Sequence, residues 1–132
     1  MLKYMLDTNI VIYIIKQRPP SALAAFNQHA SQLCISTITL AELYHGVEKS
    51  LHTAKNLNAL EDFTSRLEVL TYAPNSAAHY GDIRAQLEKG GQTIGVNDLH
   101  IAAHARSQGL ILVTNNTKEF ERVKGLRLEN WV

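Results

Sequence analysis

Four acidic residues lie where a short apolar run gives way to a helical pattern, and they are Asp7, Glu42, Asp98 and Glu119. Asp7 directly follows the apolar residues 4–6, and Glu119 comes shortly after the apolar run 110–113. Because the carboxyl ends of parallel strands lie along one edge of a sheet, acids placed in this way can converge on one crevice.

Carboxylates gathered in one crevice repel one another unless cations hold them together. Hard divalent cations such as Mg²⁺ and Mn²⁺ prefer oxygen ligands. Once bound, such a cation activates water and offsets negative charge on a phosphate. The pattern therefore predicts metal-dependent chemistry on phosphodiester bonds.

Each acid also has an ordinary structural role open to it. Asp7 can cap the helix that follows it, and Glu42 can be the reciprocal partner of Thr39 in a capping box. Glu42 is expected opposite the apolar stripe of its helix, so helical geometry alone does not bring it into the crevice. Asn116 and Glu119 repeat the spacing of a cap and its third residue. For these three acids, helix capping is therefore an alternative to metal binding.

The positions of two of the acids indicate a role beyond helix capping. Asp98 follows an expected helix cap at Asn97 and would be stabilised by the helix dipole in any case. On a helical wheel, however, it lines up with Ile101 and Ala105 on the face that must be buried, where an acid needs a partner or a metal. Asp7 ends a strand that must be central to so small a sheet.

Arg84 is the one basic residue with a candidate role at the site. It shares a helical stripe with Tyr80, Ile83 and Leu87. Either its aliphatic stem covers that stripe while the guanidinium stays in water, or the guanidinium neutralises the acids or holds a phosphate.

The histidines carry less information. His100 and His104 have the i, i+4 spacing of a zinc pair, but the glutamate of the metalloprotease motif is missing between them. Both lie off the apolar stripe and are expected to be solvated. His45, one turn after Glu42, is the only other histidine retained as a candidate pocket residue.

Composition predicts one globular domain spanning residues 1–132, with 45% apolar residues and a formal charge of +1 that neither supports nor excludes a nucleic-acid partner. The single cysteine, Cys34, cannot form an internal disulfide and is expected in the core, consistent with a reducing cytoplasm. No segment reaches the roughly 18 apolar residues of a membrane span, so no membrane association is expected. The glycines form no nucleotide-binding loop.

Strands and helices alternate along the chain. Strands are predicted at 3–7, 33–36, 68–71, 110–114 and 126–128, and helices at 8–16, 21–30, 39–50, 53–67, 75–89, 97–109 and 117–122. This alternation predicts a three-layer α/β fold, with a central parallel sheet of four to five strands flanked by helices.

Four sequence blocks, in order along residues 5–120, carry a family resemblance: MLDTN at 5–9, ISTITLAEL at 35–43, IGVNDLHIAAHA at 94–105, and VTNN at 113–116 with EF at 119–120. With these blocks the chain resembles the PIN-domain ribonucleases, and within them the VapC toxins of bacterial type II toxin–antitoxin systems. The resemblance implies a single PIN domain.

The resemblance also implies roles for individual residues. The acids Asp7, Glu42 and Asp98 would bind Mg²⁺ or Mn²⁺ for catalysis. Asn9, Ser36 and Thr114 match positions that support the acids. Many members have an aspartate where Asn116 stands, so Asn116 is placed with the supporting residues and Glu119 is the candidate fourth catalytic acid.

The implied function is that of a toxin, an endoribonuclease that cuts structured RNA and so inhibits translation and growth. The expected substrate is tRNA, cut in the anticodon region, with initiator tRNA suggested by similarity to the enteric branch. The implied partners are a VapB-like antitoxin, a second copy in a homodimer, and a larger toxin–antitoxin complex in which only the antitoxin contacts operator DNA.

Two rival functions remain. A phosphatase of the haloacid-dehalogenase type needs a second aspartate two residues after the first. Asn9 stands at that position, which counts against this class. A non-catalytic RNA-binding or scaffold PIN-like domain would have a degenerate acidic site, against which the presence of all three main acids counts. Metal-dependent RNA cleavage distinguishes these alternatives.

Overall fold

The computed structural model describes all 132 residues, which form five strands and seven α-helices. The strands are β1 (Tyr4–Leu6), β2 (Leu33–Ser36), β3 (Glu68–Leu70), β4 (Ile111–Val113) and β5 (Leu128–Glu129). The helices are α1 (Thr8–Lys16), α2 (Pro20–Gln28), α3 (Thr37–Glu48), α4 (Thr53–Thr64), α5 (Pro74–Lys89), α6 (Val96–Ser107) and α7 (Thr117–Phe120).

All strand pairs are parallel, and the strand order across the sheet is β3-β2-β1-β4-β5. The predicted parallel sheet flanked by helices is confirmed. Strand β1 lies at the centre, and the chain crosses from β3 on one side of it to β4 on the other. The carboxyl ends of β1 and β4 therefore form the point where the strand order reverses, which is where ligands bind in open α/β sheets.

Side chains alternate between the two faces of the sheet and so build two cores. In β1, Tyr4 and Leu6 belong to the core under α1 to α4, whereas Met5 belongs to the core under α5 and α6. Cys34 in β2 lies on the same side as Met5 and is fully buried, which confirms its predicted place in the core. This period-2 alternation fixes the three layers.

Helix α3 begins earlier than the capping-box pattern predicted. The hydroxyl of Ser36 accepts a hydrogen bond from the backbone N–H of Ile38 at 3.0 Å and caps the helix. Thr39 is consequently a buried residue inside the helix and not its cap. The prediction that Glu42 lies opposite the buried stripe is wrong, because the stripe runs through Thr39, Leu43 and Val47 and Glu42 flanks it.

Helix α6 also departs from its predicted form. It begins at Val96 with Gly95 in the capping position, so Asn97 is not its cap. The prediction that both histidines of α6 are solvated is wrong. Small alanines let the helix pack closely on its neighbours, so that His104 is fully buried, and half-buried His100 stacks on Tyr80 with ring centroids 4.2 Å apart.

The C-terminal elements are shorter or shifted. Helix α7 ends at Phe120, where a helix to residue 122 was predicted, and β5 occupies Leu128–Glu129, where a strand at 126–128 was predicted. None of the helices has the length and apolar character required to cross a membrane.

Candidate active site

Asp7 occupies the end of the central strand. Its Oδ1 accepts a hydrogen bond from the Thr8 backbone N–H at 2.8 Å, and its Oδ2 accepts one from the Thr114 hydroxyl at 2.8 Å. The side chain therefore caps α1 and also lies at the switch point, with 5% of the residue exposed. Burial raises the pKa of this carboxyl, and the negative charges of Glu42 and Glu119 add to the effect against those two hydrogen bonds.

Glu42 connects three helices. Its Oε1 accepts a hydrogen bond from the Thr8 hydroxyl at 2.6 Å, and its Oε2 accepts one from the Asn97 side-chain amide at 3.2 Å. These contacts join α3 to the first turns of α1 and α6, which brings Glu42 to the crevice. The sequence analysis assigned no role to Thr8 and predicted Asn97 only as a helix cap, although each is adjacent to an acid in a matched block.

Asp98 and Glu119 form a hydrogen-bonded carboxyl pair. Burial, the hydrogen bond with Glu119 and the negative charges of Asp7, Glu119 and Glu42 together raise the pKa of Asp98 to about 7. Burial acts to raise the pKa of Glu119 as well, but it is outweighed by hydrogen bonds from Asp98, Asn116 and the Gly95 N–H, so that this pKa is lowered. The two carboxyls therefore titrate together, with the pKa of Asp98 raised and the pKa of Glu119 lowered.

Glu119 does not close a capping box. Its Oε1 accepts a hydrogen bond from the Gly95 N–H at 3.4 Å, and its Oε2 accepts one from the Asn116 side-chain amide. The backbone N–H of Asn116 donates instead to the Thr114 hydroxyl at 3.0 Å. Asn116 therefore orients Glu119 toward Asp98, and the carboxylate of this loop faces the other acids.

The four carboxyl groups suit a hard divalent cation, since all of them offer oxygen ligands. The negative charges of the other three raise the pKa of Asp98, and a bound cation would offset that repulsion. No three of the chain's acidic, imidazole or thiol groups converge tightly enough to surround a metal ion. The hydrogen bonds to Glu42 and Glu119 hold those two acids around the rim.

The remaining candidate residues make no hydrogen bond or ion pair with the four acids. Ser36 caps α3 and lies 2.7 Å from Nδ1 of buried His104, so its contact is with α6 and not with a carboxylate. Asn9 is exposed and makes no hydrogen bond to the acids. Arg84 is exposed, donates to the Tyr80 hydroxyl at 2.7 Å and forms an ion pair with Glu88. His45 is exposed.

Two depressions border the acids. One is open, has a volume of about 360 Å³, and is lined by Glu42, Asp98 and the first residues of α6. The other is an apolar groove of about 270 Å³ between α1, α3 and α4, lined by residues that include Ile12, Leu43 and Leu60. Glu42 lines both depressions, so the groove leads directly to the acidic crevice.

The PIN domain family model matches residues 4–126 of the chain. The chain belongs to the PIN-domain family. The resemblance seen in the four sequence blocks is therefore confirmed, and the family is one of nucleases. In this PIN domain, Asp7 lies at the carboxyl end of the central strand, and the other acids of the matched blocks lie on α3, α6 and α7.

Relatives match this PIN domain over essentially their whole length. It is 63% identical over 132 residues to Ribonuclease VapC2 of Haemophilus influenzae strain Rd, covering 100% of both chains. It is 53% identical over 131 residues to the tRNA(fMet)-specific endonuclease VapC of Shigella flexneri, covering 99% of both. Among solved structures, DNA-bound VapBC from Salmonella typhimurium contains a chain with a TM-score of 0.96 and 52% identity, with 100% of both chains covered.

Proposed function

We propose that this PIN domain is the toxin of a type II toxin–antitoxin pair, a metal-dependent endoribonuclease that cuts tRNA in the cytoplasm and so stops translation and growth. The observation that carries the proposal is the burial of Asp7 at the switch point, close enough to Asp98 for its charge to help raise the pKa of Asp98 to about 7. Buried acids that perturb one another's pKa in a crevice are typical of catalytic sites.

In this proposal, Asp7, Glu42 and Asp98 hold Mg²⁺ or Mn²⁺, with Glu119 as the fourth acid through its contact with Asp98. When bound, the ion supplies an acidified water and offsets charge on the scissile phosphate. The chain's own hydrogen bonds orient the ligands: Thr114 and the Thr8 backbone fix Asp7, while Asn97 and the Thr8 hydroxyl fix Glu42. Ser36, Asn116 and Asn9 remain proposed supporting residues.

The proposed substrate is tRNA, and initiator tRNA is the first candidate because of the 53% identity to the Shigella flexneri enzyme with that specificity in its name. The depression over Asp98 is open, and Val96 at its edge is 53% exposed, so an unstacked base has an apolar surface to pack on. Single-stranded loops present such bases and leave their phosphates accessible. The anticodon loop meets both conditions.

The proposed partner is a VapB-like antitoxin. The apolar groove between α1, α3 and α4 offers a surface for an amphipathic segment, and Glu42 lies where the groove meets the acids. An arginine or lysine from that segment would reach the carboxylates, and a guanidinium can bind one with two parallel hydrogen bonds. We expect a homodimeric toxin in a larger complex that contacts operator DNA only through the antitoxin.

The inhibitory contact is tested by comparing free toxin with the purified toxin–antitoxin complex on the same tRNA. Free toxin should cleave and the complex should be inert. Antitoxin with its crevice-facing basic residue replaced by glutamine should still bind through the groove but inhibit less. A complex that cleaves as fast as free toxin would contradict this mode of inhibition.

The second candidate, a non-catalytic RNA-binding domain, makes the opposite prediction for metal dependence. Purified protein is incubated with initiator tRNA and with elongator methionine tRNA, in Mg²⁺, in EDTA, and in EDTA followed by excess Mn²⁺. The proposal predicts metal-dependent cutting of the initiator species at one site, restored by Mn²⁺. RNA binding without cleavage under every condition would establish the non-catalytic alternative.

A further inference from the structure

A basic depression lies at the carboxyl end of α5, outside the acidic crevice. It has a volume of about 320 Å³, and its charged lining consists of Lys89, Arg122 and Lys124, with no carboxylate. The chain as a whole carries a formal charge of only +1, so three positive charges around one concavity are a local concentration. Such a concavity focuses positive potential and attracts anions.

These three cations are not used in ion pairs. Three other arginines of the chain have a carboxylate within 4.0 Å, in the pairs Arg66–Asp62, Arg84–Glu88 and Arg106–Asp82. No ion pair within that distance involves Lys89, Arg122 or Lys124. Their charges are therefore available to a ligand.

The depression is held in place by hydrogen bonds from the rest of the fold. The guanidinium of Arg122 donates to the Thr93 carbonyl at 3.1 Å. The Lys124 carbonyl accepts a hydrogen bond from Arg106 at 2.9 Å, and Gly125 turns the chain there with a φ of +79°. Because hydrogen bonds already hold the Arg122 side chain and the Lys124 backbone, binding an anion here requires little further ordering.

The basic depression also adjoins the acids. Arg122 is one turn beyond Glu119, and its charge helps to lower the pKa of that carboxyl. Thr93, which binds Arg122, is two residues before Gly95, whose N–H donates to Glu119 at 3.4 Å. Even a fully extended chain from Thr93 to Asp98 would span no more than about 18 Å. One RNA strand can therefore contact both places.

We propose that this basic depression is a phosphate-binding subsite for the RNA backbone that flanks the cleaved bond. The inference rests on the proposed nuclease function and adds to it the direction in which the bound strand leaves the crevice. Only one hydrophobic residue, Leu87, lines the depression, and no aromatic ring is present to stack a base. The subsite therefore contributes affinity that is independent of sequence, as phosphate contacts do.

The test compares two double variants that remove the same charge. Lys89→Gln with Lys124→Gln removes two cations of the basic depression, and Lys49→Gln with Lys55→Gln removes two exposed lysines on the opposite side of the sheet. All four lysines are exposed, so folding is expected to be unaffected. Arg122 is left intact because it also holds Thr93. Binding of labelled tRNA is measured in EDTA over a salt series.

Each phosphate contact contributes roughly 0.7–0.9 to the slope of log affinity against log salt. We expect the Lys89/Lys124 variant to lose up to about 1.5 from that slope and to bind tRNA roughly tenfold more weakly at moderate salt, with the control variant close to wild type. With Mg²⁺ present, its KM for tRNA should rise with little change in kcat. A short oligonucleotide that covers only the cleaved bond should be cut as by wild type.

The outcomes separate this inference from the nuclease proposal. If wild type cleaves tRNA and the Lys89/Lys124 variant shows the wild-type salt slope, the subsite is wrong and the nuclease function stands. An equal loss of salt slope in both double variants would indicate general charge attraction and would also overturn the proposed subsite. If the variant binds tRNA normally but loses affinity for the antitoxin, the depression serves a protein partner instead. A wild type that does not cleave RNA would refute the nuclease proposal itself.

Discussion

The Thr114 hydroxyl donates a hydrogen bond to Asp7 Oδ2 at 2.8 Å, across the ends of the two central strands β1 and β4. The same hydroxyl oxygen accepts from the Asn116 N–H at 3.0 Å, so it is fixed from both sides. Asp7 is thereby confined to one orientation in a site where it is almost fully buried. One threonine thus links the fourth sequence block to the first.

Thr114→Val should test this link because valine keeps the shape of threonine and removes the hydroxyl. We expect tRNA cleavage to fall about 10–100-fold, the usual effect of losing a residue that orients a metal ligand. Thr114→Ser should retain most of the activity. A Thr114→Val rate within twofold of wild type would show that Asp7 needs no help from this residue.

The sheet and its helices could be predicted from sequence because they depend on local patterns. Strand β2 and helix α1 were predicted at their observed boundaries, since apolar runs and the Pro19-Pro20 stop mark them. The start of α3 was missed because Ser36 and Thr39 are both good caps, and only the tertiary packing that buries Thr39 decides between them.

The site was predictable in its residue types but not in its contacts. The helical wheel of α6 placed Asp98 on a buried face and assumed that the opposite face is exposed. In the structure most of the helix is enclosed, and His104 is buried as well. The contacts of Glu42 with Thr8 and Asn97 join residues 34 and 55 positions apart. Periodicity within one helix carries no information about such pairs.

Asp98→Asn should stabilise the protein when divalent ions are absent. At pH 8 the Asp98 charge, whose pKa is raised to about 7, stands among three other acids, and asparagine removes it. We expect a gain on the order of 1 kcal/mol, or roughly 3–5 °C in melting temperature in EDTA. The gap should narrow as the pH falls below 7, because the folded carboxyl then takes up a proton and loses its charge among the other acids.

The matched control for that measurement is Asp62→Asn, which removes a carboxylate of an exposed ion pair. It should leave the melting temperature unchanged or slightly lower, because exposed pairs contribute little. If Asp98→Asn is less stable than wild type in EDTA at pH 8, the acids do not repel one another as described.

Glu119→Gln separates charge from hydrogen bonding at the fourth acid. The glutamine oxygen can still accept the hydrogen bond from Gly95, and Asn116 can turn its amide oxygen toward the glutamine NH2, so the melting temperature should change little. Loss of the charge should weaken Mn²⁺ binding, measured by calorimetry, and lower the cleavage rate by less than substitutions of Asp7 or Asp98 do. Unchanged Mn²⁺ affinity and unchanged cleavage would leave a three-acid site.

His104 should make stability depend on pH in the acidic range. Burial lowers its pKa, and it faces the Ser36 hydroxyl and the Tyr72 ring, with no carboxylate within 4.0 Å. A base whose folded pKa lies below its unfolded value of about 6.5 contributes full stability above that pH and loses it as the pH falls.

The free energy of unfolding, measured in urea from pH 7.5 to 5, should therefore fall with decreasing pH, and His104→Gln should reduce the slope of that dependence. The exposed His45→Gln control should keep the wild-type slope, and an unaltered slope in His104→Gln would count against the buried neutral imidazole.

The central claim, that acids at the switch point form the catalytic metal site of an RNase, is tested most directly by cleavage of end-labelled tRNA with Asp98→Ala protein in Mg²⁺. Wild type is assayed in parallel with Mg²⁺ and with EDTA, and a mock preparation controls for contaminating ribonuclease. The account predicts specific cleavage by wild type in Mg²⁺ only, and none above the mock background by a folded Asp98→Ala variant. Cleavage by Asp98→Ala at the wild-type rate in Mg²⁺ would contradict the account.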